Sequence, residues 1–435
     1  MGSPADSLRT PESFQMKHRF LRTAGMIVVA DGIILLFNRE VDNTPDHHVS
    51  WNNFVDNLQS GFEWDDNRFH VNHVFHPYQG SLYFTAARAN SFTYWESVPW
   101  TFAGSWLWEY LYETNNPSIN DWINSGLGGI AMGESFFRLS GAVLDNTARG
   151  GERFWRELAG LVIAPARGVN RWITGEAWKV HQNPAGRHPG YGLGQIRVGY
   201  RTLEESEPDP SVSEENAFVR VDALYGDPFS RSQSGPFRHF DFGIMFNIDD
   251  PEFAIARIRV DGLLGGTVRG DSEKRHFTGA FQHFDYAGHS AYEFAAQSFS
   301  ASYLGRYPVG KMNLRATGRL HGVVLGATTT DYANYTGRDY DYGPGLGYEL
   351  SLALAGNEAG DYLSLGHRGY LIHSINGNDA DHFVSFTRAS AWVPVGPAAV
   401  GADYILYLAD RRYADFPGVS ARNGEIRAYL SWVIR

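Results

Sequence analysis

From about residue 193 onward, apolar and polar positions alternate in segments of ten or so residues, each bounded by turn formers. Val219, Val221, Ala223 and Tyr225 alternate with Arg220 and Asp222. Leu346, Tyr348, Leu350, Leu352 and Leu354 alternate with Glu349 and Ser351. The last segment sets Ile426, Ala428, Leu430, Trp432 and Ile434 against Arg427 and Ser431. Such segments lie near 193–203, 217–226, 237–249, 252–265, 275–286, 290–304, 309–326, 343–356, 361–375, 382–393, 397–410 and 423–435. Turns fall at Asp249-Asp250-Pro251, Gly356-Asn357, Asn376-Gly377-Asn378-Asp379 and Pro394–Pro397, and the connections Glu204–Asn216 and Thr328–Tyr342 are longer. Soluble strands usually run five or six residues, whereas membrane-crossing strands need about 9–11 at a tilt near 45°. These segments have the longer length. Their polar positions carry Arg, Asp, Glu, Ser and Gly, which fits a wet or plugged lumen. Tyr225, Tyr286, Tyr303, Tyr307, Trp392, Tyr404, Tyr407 and Tyr413 crowd the segment ends, where interfacial girdles are expected. The pattern predicts a closed transmembrane barrel, since lipid offers no hydrogen-bond partner to an open sheet edge. A soluble β-sandwich or solenoid is the alternative.

Residues 12–180 lack the two-residue period and show helical spacing, broken at Gly61, Pro77, Pro99, Pro117, Gly150 and Pro165. Helices are expected over about 12–38, 50–60, 70–90, 95–115, 118–145 and 151–165, with Ser118 capping one of them. Gly25 to Phe37 is the longest apolar run, but Asp31 interrupts it. No window reaches about 20 uninterrupted apolar residues, so this stretch reads as an amphipathic or core helix. Met1-Gly2-Ser3 looks like a cloning remnant, and residues 1–11 are expected to be disordered. The fold class is therefore α+β: a C-terminal transmembrane antiparallel β-barrel of about twelve strands over 190–435, and a helical domain over 12–180 that plugs or caps it. A lumen of that strand number looks too wide for side chains alone to fill, and the helical half is the available filler.

Composition narrows the partners. The 435 residues carry 37 basic and 48 acidic side chains, a net charge of −11, which counts against a nucleic-acid partner. Zero cysteines removes disulfides, thiolate metal sites and cysteine nucleophiles.

Polar residues recur among the tryptophans of the first half. His70, His73 and His76 are spaced by three, Glu113 lies one turn after Glu109, and Arg138 one turn after Glu134. In order, the chain reads Asn72-His73, His76-Pro77-Tyr78-Gln79-Gly80-Ser81 with Tyr83 and Arg88, then Ser105 with Trp108-Glu109-Tyr110 and Glu113, Pro117-Ser118 with Asp121, and Gly133-Glu134 with Arg138. This string resembles an uncharacterised bacterial domain-of-unknown-function family of predicted outer-membrane proteins, over roughly residues 50–146. The resemblance implies a Gram-negative envelope location and carries no catalytic role.

Several chemistries fit these residues. Three histidines with Asp65 or Glu109 suggest a metal, but residues 70 and 76 are almost two turns apart on one helix and the HExxH motif is absent, so neither metal nor cofactor is assigned. A hydrolase would use Ser105 or Ser118, His73 or His76, and Glu109 or Asp121, yet Gly104-Ser105 lacks the glycine of a nucleophile elbow. Glu109 and Glu113 fit acid–base work if burial splits their pKa values, and equally fit ion pairs with Arg88 and Arg138. The expectation is an outer-membrane barrel protein whose helical domain carries a polar site. His73, His76, Glu109, Glu113 and Asp121 are its candidate reactive groups, and Tyr83, Arg88, Ser105, Glu134 and Arg138 its candidate binding groups. Its partners would be outer-membrane lipids, a lipid or small-molecule ligand, or an envelope protein. A plugged or gated channel, and an assembly scaffold, are the alternatives.

Overall fold

A computed structural model describes residues 12–42, 49–184, 192–204, 213–230, 235–271, 274–332, 337–356 and 361–434. The expected remnant 1–11 and the turn residue Asn357 lie outside these. The chain divides into two compact units: a helical one from Met1–Asp65 and His76–Arg187, and a barrel one from Asp66–Phe75 and His188–Arg435.

The barrel strands are β1 (Gly192–Glu204), β2 (Ser213–Tyr225), β3 (Phe240–Asn247), β4 (Ile255–Gly270), β5 (Arg275–His289), β6 (Tyr292–Val309), β7 (Met312–Thr329), β8 (Tyr340–Ala355), β9 (Asp361–His373), β10 (Ala380–Val395), β11 (Ala398–Tyr413) and β12 (Val419–Ile434). Each pairs antiparallel with its sequence neighbours, and β1 pairs with β12 from Gly194↔Ile434 to Glu204↔Gly424, closing the ring. Every segment predicted from alternation is a strand. Leu346, Leu350 and Leu352 of β8 are exposed on one face, as are Tyr404 of β11 and Ile426 and Leu430 of β12. Burying none of these is tolerable only against hydrocarbon.

The expected aromatic girdle is only partly there. Tyr404 points outward, but Tyr407 is paired with Phe386 and buried inside, where its ring stacks on Tyr292 at 4.1 Å. Tyr225, Tyr286, Trp392 and Tyr413 are also buried. Alternation fixes which face a residue takes, whereas position along the segment does not decide whether a face is covered.

The lumen is bridged, though not filled, by the strands' own side chains. Arg259 of β4 meets Glu349 of β8 at 2.6 Å, Arg319 of β7 meets Asp261 of β4 at 3.1 Å, and Arg368 of β9 meets Asp285 of β5 at 2.6 Å. Arginine and tyrosine are long enough to meet partners from non-adjacent strands, which a count based on wall radius alone omits. A cavity of about 460 Å³ remains, lined by residues including Arg220, Asp222, Asp241, Arg315 and Glu349.

Residues Asp66–Phe75 pack with the barrel. Tyr286, Ala295, Ala327 and Tyr342 form one row across β5, β6, β7 and β8. Tyr342 shares its strand face with the exposed Leu346. The two alanines leave a trough along that row. Phe69 packs between Tyr286 and Tyr340, at 5.9 and 5.1 Å, and His73 lies over Tyr342 at 5.4 Å. Asn72 donates to the Tyr340 and Tyr342 hydroxyls at 3.0 and 3.2 Å. The single helix expected over 70–90 is thus divided: Val71–Phe75 is a π-helical turn, and the α-helix begins at His76.

The described helical residues form α1 (Glu12–Phe37), α2 (Trp51–Ser60), α3 (His76–Ala89), α4 (Tyr94–Leu111), α5 (Ile119–Ile123), α6 (Gly129–Val143), α7 (Gly150–Ile163) and α8 (Pro165–Ile173). Capping boxes at Ser50/Asn53 and Thr93/Glu96 start α2 and α4. Pro165, read as a break, instead opens α8, where its missing N–H costs nothing. The stretch His18–Val41, expected as an amphipathic or core helix, is also long and apolar enough to cross a membrane by length and composition. Only the stripe Thr23, Ile27 and Asp31 is buried. The centre of the unit is the contact of α3 with α6 through glycines. A Cβ on Gly80 would stand 1.9 Å from the Ser125 carbonyl oxygen, and one on Gly129 2.5 Å from the Gly80 backbone.

Candidate functional site

His76 is the first residue of α3, Glu109 lies in the last turn of α4, and Asp121 lies in α5. All three are buried, and one ligand atom from each falls within 4.8 Å of the others. Local chemistry places them. Pro77 follows His76 and pre-sets the helical φ at the start of α3. Asn57 donates to the carbonyls of Glu109 and Glu113 at 3.3 and 3.2 Å, satisfying groups that the end of α4 leaves open. Glu63 pairs by backbone with Pro117 and Ile119, fixing the turn before α5. The Ser118 hydroxyl accepts from the Asp121 N–H at 3.3 Å, the cap read from the sequence.

Each carboxylate spends one oxygen on the fold. Glu109 Oε2 accepts from the Ser118 N–H at 2.8 Å, and Asp121 Oδ1 accepts from Asn120 Nδ2 at 2.9 Å. Glu109 Oε1, Asp121 Oδ2 and His76 Nδ1 have no hydrogen-bond partner among the described residues. His76 Nε2 stands 3.7 Å from Asp121 Oδ1. Glu113 borders the group and accepts from Trp108 Nε1 at 2.6 Å.

Burial dominates the electrostatics. It pushes the Glu109 carboxyl well above its ordinary range, with Glu113 and Asp121 adding like charge. Asp121 moves the same way through burial and then the neighbouring Asp65. Glu113 is pushed up to about 7 by burial, with His76 pulling it back. His76 is lowered because burial outweighs the attraction of Glu113 and Asp65.

The other candidates fall elsewhere. Arg88 and Arg138 both hold the fully buried Glu134, at 2.7 and 2.8 Å, a triad in which the carboxylate is compensated twice. Tyr83 donates its hydroxyl to Asp31 and accepts from Gln79 at 2.5 Å. Ser105, one turn before Glu109, has a buried hydroxyl without a partner among the described residues. His73 does not join His76; its Nδ1 lies 2.8 Å from the Phe69 carbonyl oxygen, within the segment that packs with the barrel. Sequence reasoning missed Asn57, Asn120 and Asp31 as partners. Asp31 was visible as a lone charge in an apolar run, and Asn120 as a neighbour of Asp121 in Pro117-Ser118-Ile119-Asn120-Asp121.

No curated protein matches this chain. Among solved structures, OmpT of Vibrio cholerae is similar over 56% of this chain and 97% of its own, at 10% identity and a TM-score of 0.22. The outer membrane channel DcaP of Acinetobacter baumannii matches over 56% and 96%, at 8% identity and a TM-score of 0.22. An anion-selective porin from Comamonas acidovorans matches over 56% and 99%, at 9% identity and a TM-score of 0.20. At such scores these likenesses carry no argument, and the ring stands on its own strand pairing. Residues 61–166, a span that holds α3 to α7 and the whole His76–Glu109–Asp121 cluster, match a protein family described as a domain of unknown function (DUF3943).

Proposed function

We propose that this is a protein of the Gram-negative outer membrane whose helical domain carries a His/Glu/Asp site that binds or processes a lipid or another envelope molecule. The observation that carries the reading is the buried cluster of His76, Glu109 and Asp121, whose polar atoms the fold leaves unused. Buried polar atoms without partners are costly, and their persistence in a well-packed unit marks a place kept for a ligand. A lipid fits the surroundings. The helices expose Val29, Ile33, Trp95, Trp106 and Trp155, apolar groups that water alone does not favour. Glu109 and Asp121 supply acid–base capacity close to a histidine, a grouping of the kind that general acid–base catalysis uses.

A second reading, a plugged or gated channel, is favoured by the charged cavity within the ring. Mass spectrometry of molecules retained by the full chain after mild detergent extraction tests the first. A lipid or small molecule retained by wild type and lost in Glu109→Gln is the expected result. An identical retained set in both proteins would overturn the site reading.

A further inference from the structure

We propose that His76, Glu109 and Asp121 bind a divalent first-row transition-metal ion, zinc or manganese, in the helical domain. This deepens the reading above and rests on it, since it assigns a cofactor to the same cluster.

Three elements distant in sequence, the start of α3, the end of α4 and the short α5, bring one imidazole and two carboxylates together. Each offers one ligand atom. A tetrahedral ion with arms of 2.0–2.1 Å has ligand–ligand edges of about 3.4 Å. The His76 Nε2 to Asp121 Oδ1 separation of 3.7 Å is close to that edge, and the three ligand atoms all lie within 4.8 Å of one another. The free oxygens of Glu109 and Asp121 sit on side chains already anchored by Ser118 and Asn120. Carboxylates held this way are oriented ligands, as supporting hydrogen bonds orient them in metal centres.

Charge compensation within the same unit separates this cluster from a structural network. Glu134 is met by Arg88 and Arg138, and Glu157 by Arg171 at 2.7 Å and Arg153 at 3.7 Å. Among the described residues neither Arg nor Lys forms an ion pair with Glu109, Glu113 or Asp121. The unit supplies arginine to Glu134 and Glu157 and neutral donors from Tyr83 and Gln79 to the lone buried Asp31, whereas here two buried carboxylates gather beside Glu113 with neither Arg nor Lys paired to them. A dication provides the missing positive charge. Mixed nitrogen and oxygen donors without sulfur suit zinc or manganese, and three protein ligands leave a coordination position for water or substrate. Glu113, which accepts from Trp108, borders the cluster as a third carboxylate.

The test uses the full chain in detergent, stripped with a chelator and then titrated with Zn²⁺, Mn²⁺ or Co²⁺. Calorimetry and elemental analysis should give about one ion per chain, with affinity falling at least roughly tenfold in Asp121→Asn and His76→Ala. Wild type loaded with Co²⁺ should show the intense visible d–d absorption of a four- or five-coordinate site, a readout that needs no variant to fold. Binding that both substitutions leave unchanged, or a Co²⁺ spectrum like that of the hydrated ion, would sink the proposal. Retained ligand without metal overturns the metal alone. Metal without retained ligand supports the metal and overturns the lipid reading.

Discussion

Burial of Glu113 beside Glu109 and Asp121 makes the helical domain sensitive to pH in a definite direction. An unfolded glutamate titrates near about 4.3. In the fold Glu113 is pushed up to about 7, so the native state favours the proton. The stabilisation this confers is complete below the unfolded value and is lost as pH rises through the folded one. Glu109 and Asp121 are shifted in the same sense by the same cause. In chelator, the melting transition followed by tryptophan fluorescence should therefore occur at lower temperature at pH 8 than at pH 5. Glu113→Gln, which keeps an acceptor for Trp108, should narrow that gap, and an equal gap in wild type and variant would refute the assignment. The residues of the site were legible one at a time. Ser118 read correctly as a cap, whereas the helical face expected to carry both Glu109 and Glu113 is not formed, because α4 ends at Leu111 and Glu113 lies beyond it. Their convergence was not legible, because it depends on how α3, α4 and α5 meet. The histidine triplet was misleading for a local reason: the π-helical turn at Val71–Phe75 breaks the register that a continuous helix would give His73 and His76.

The helices meet through small residues, which makes the position of His76 depend on atoms it does not touch. Gly80, one turn after His76 on α3, lies under the backbone at Ser125 and Gly129. Gly80→Ala would drive a methyl into the Ser125 carbonyl, and backbone cannot rotate away as a side chain can. Overpacking of this kind typically costs about 1–3 kcal/mol. The variant should lower the melting temperature of the helical domain and weaken ligand retention, while the barrel keeps its heat-modifiable migration on gels; unchanged melting would show that α3 and α6 have slack. Strands were the more readable elements. Alternation survives in any register, so each predicted segment reappears, and the errors lie at the ends. Ser213-Glu214-Glu215 extends β2 and Thr267-Val268-Arg269-Gly270 extends β4, because polar ends of strands outside the apolar band carry no periodic signal. α8 was missed because Pro165 punctuates a helix start and a helix stop alike.

For the whole molecule, the deciding feature is that the ring is bridged by its own walls. Arg259, Asp261, Arg319 and Glu349 join β4, β7 and β8, Arg368 and Asp285 join β9 to β5, and Tyr292 stacks on Tyr407 from β6 to β11. Ion pairs that are hydrogen-bonded and shielded from bulk water dissociate slowly, and removing one member leaves the others uncompensated. Ions crossing the lumen would have to break these contacts in turn. The inner residues were identifiable from the sequence as the polar half of each alternation, yet their partners across the ring were not, because barrel closure alone brings β4 opposite β8. In planar bilayers, wild type should therefore show little steady conductance. The double substitution Glu349→Ala with Tyr407→Ala removes one ionic and one aromatic bridge while leaving Asp261 to hold Arg259 and Arg319. It should open a measurable ohmic current. Steady porin-like conductance from wild type would instead establish the channel reading, and would assign the charged cavity, rather than the helical cluster, the principal role.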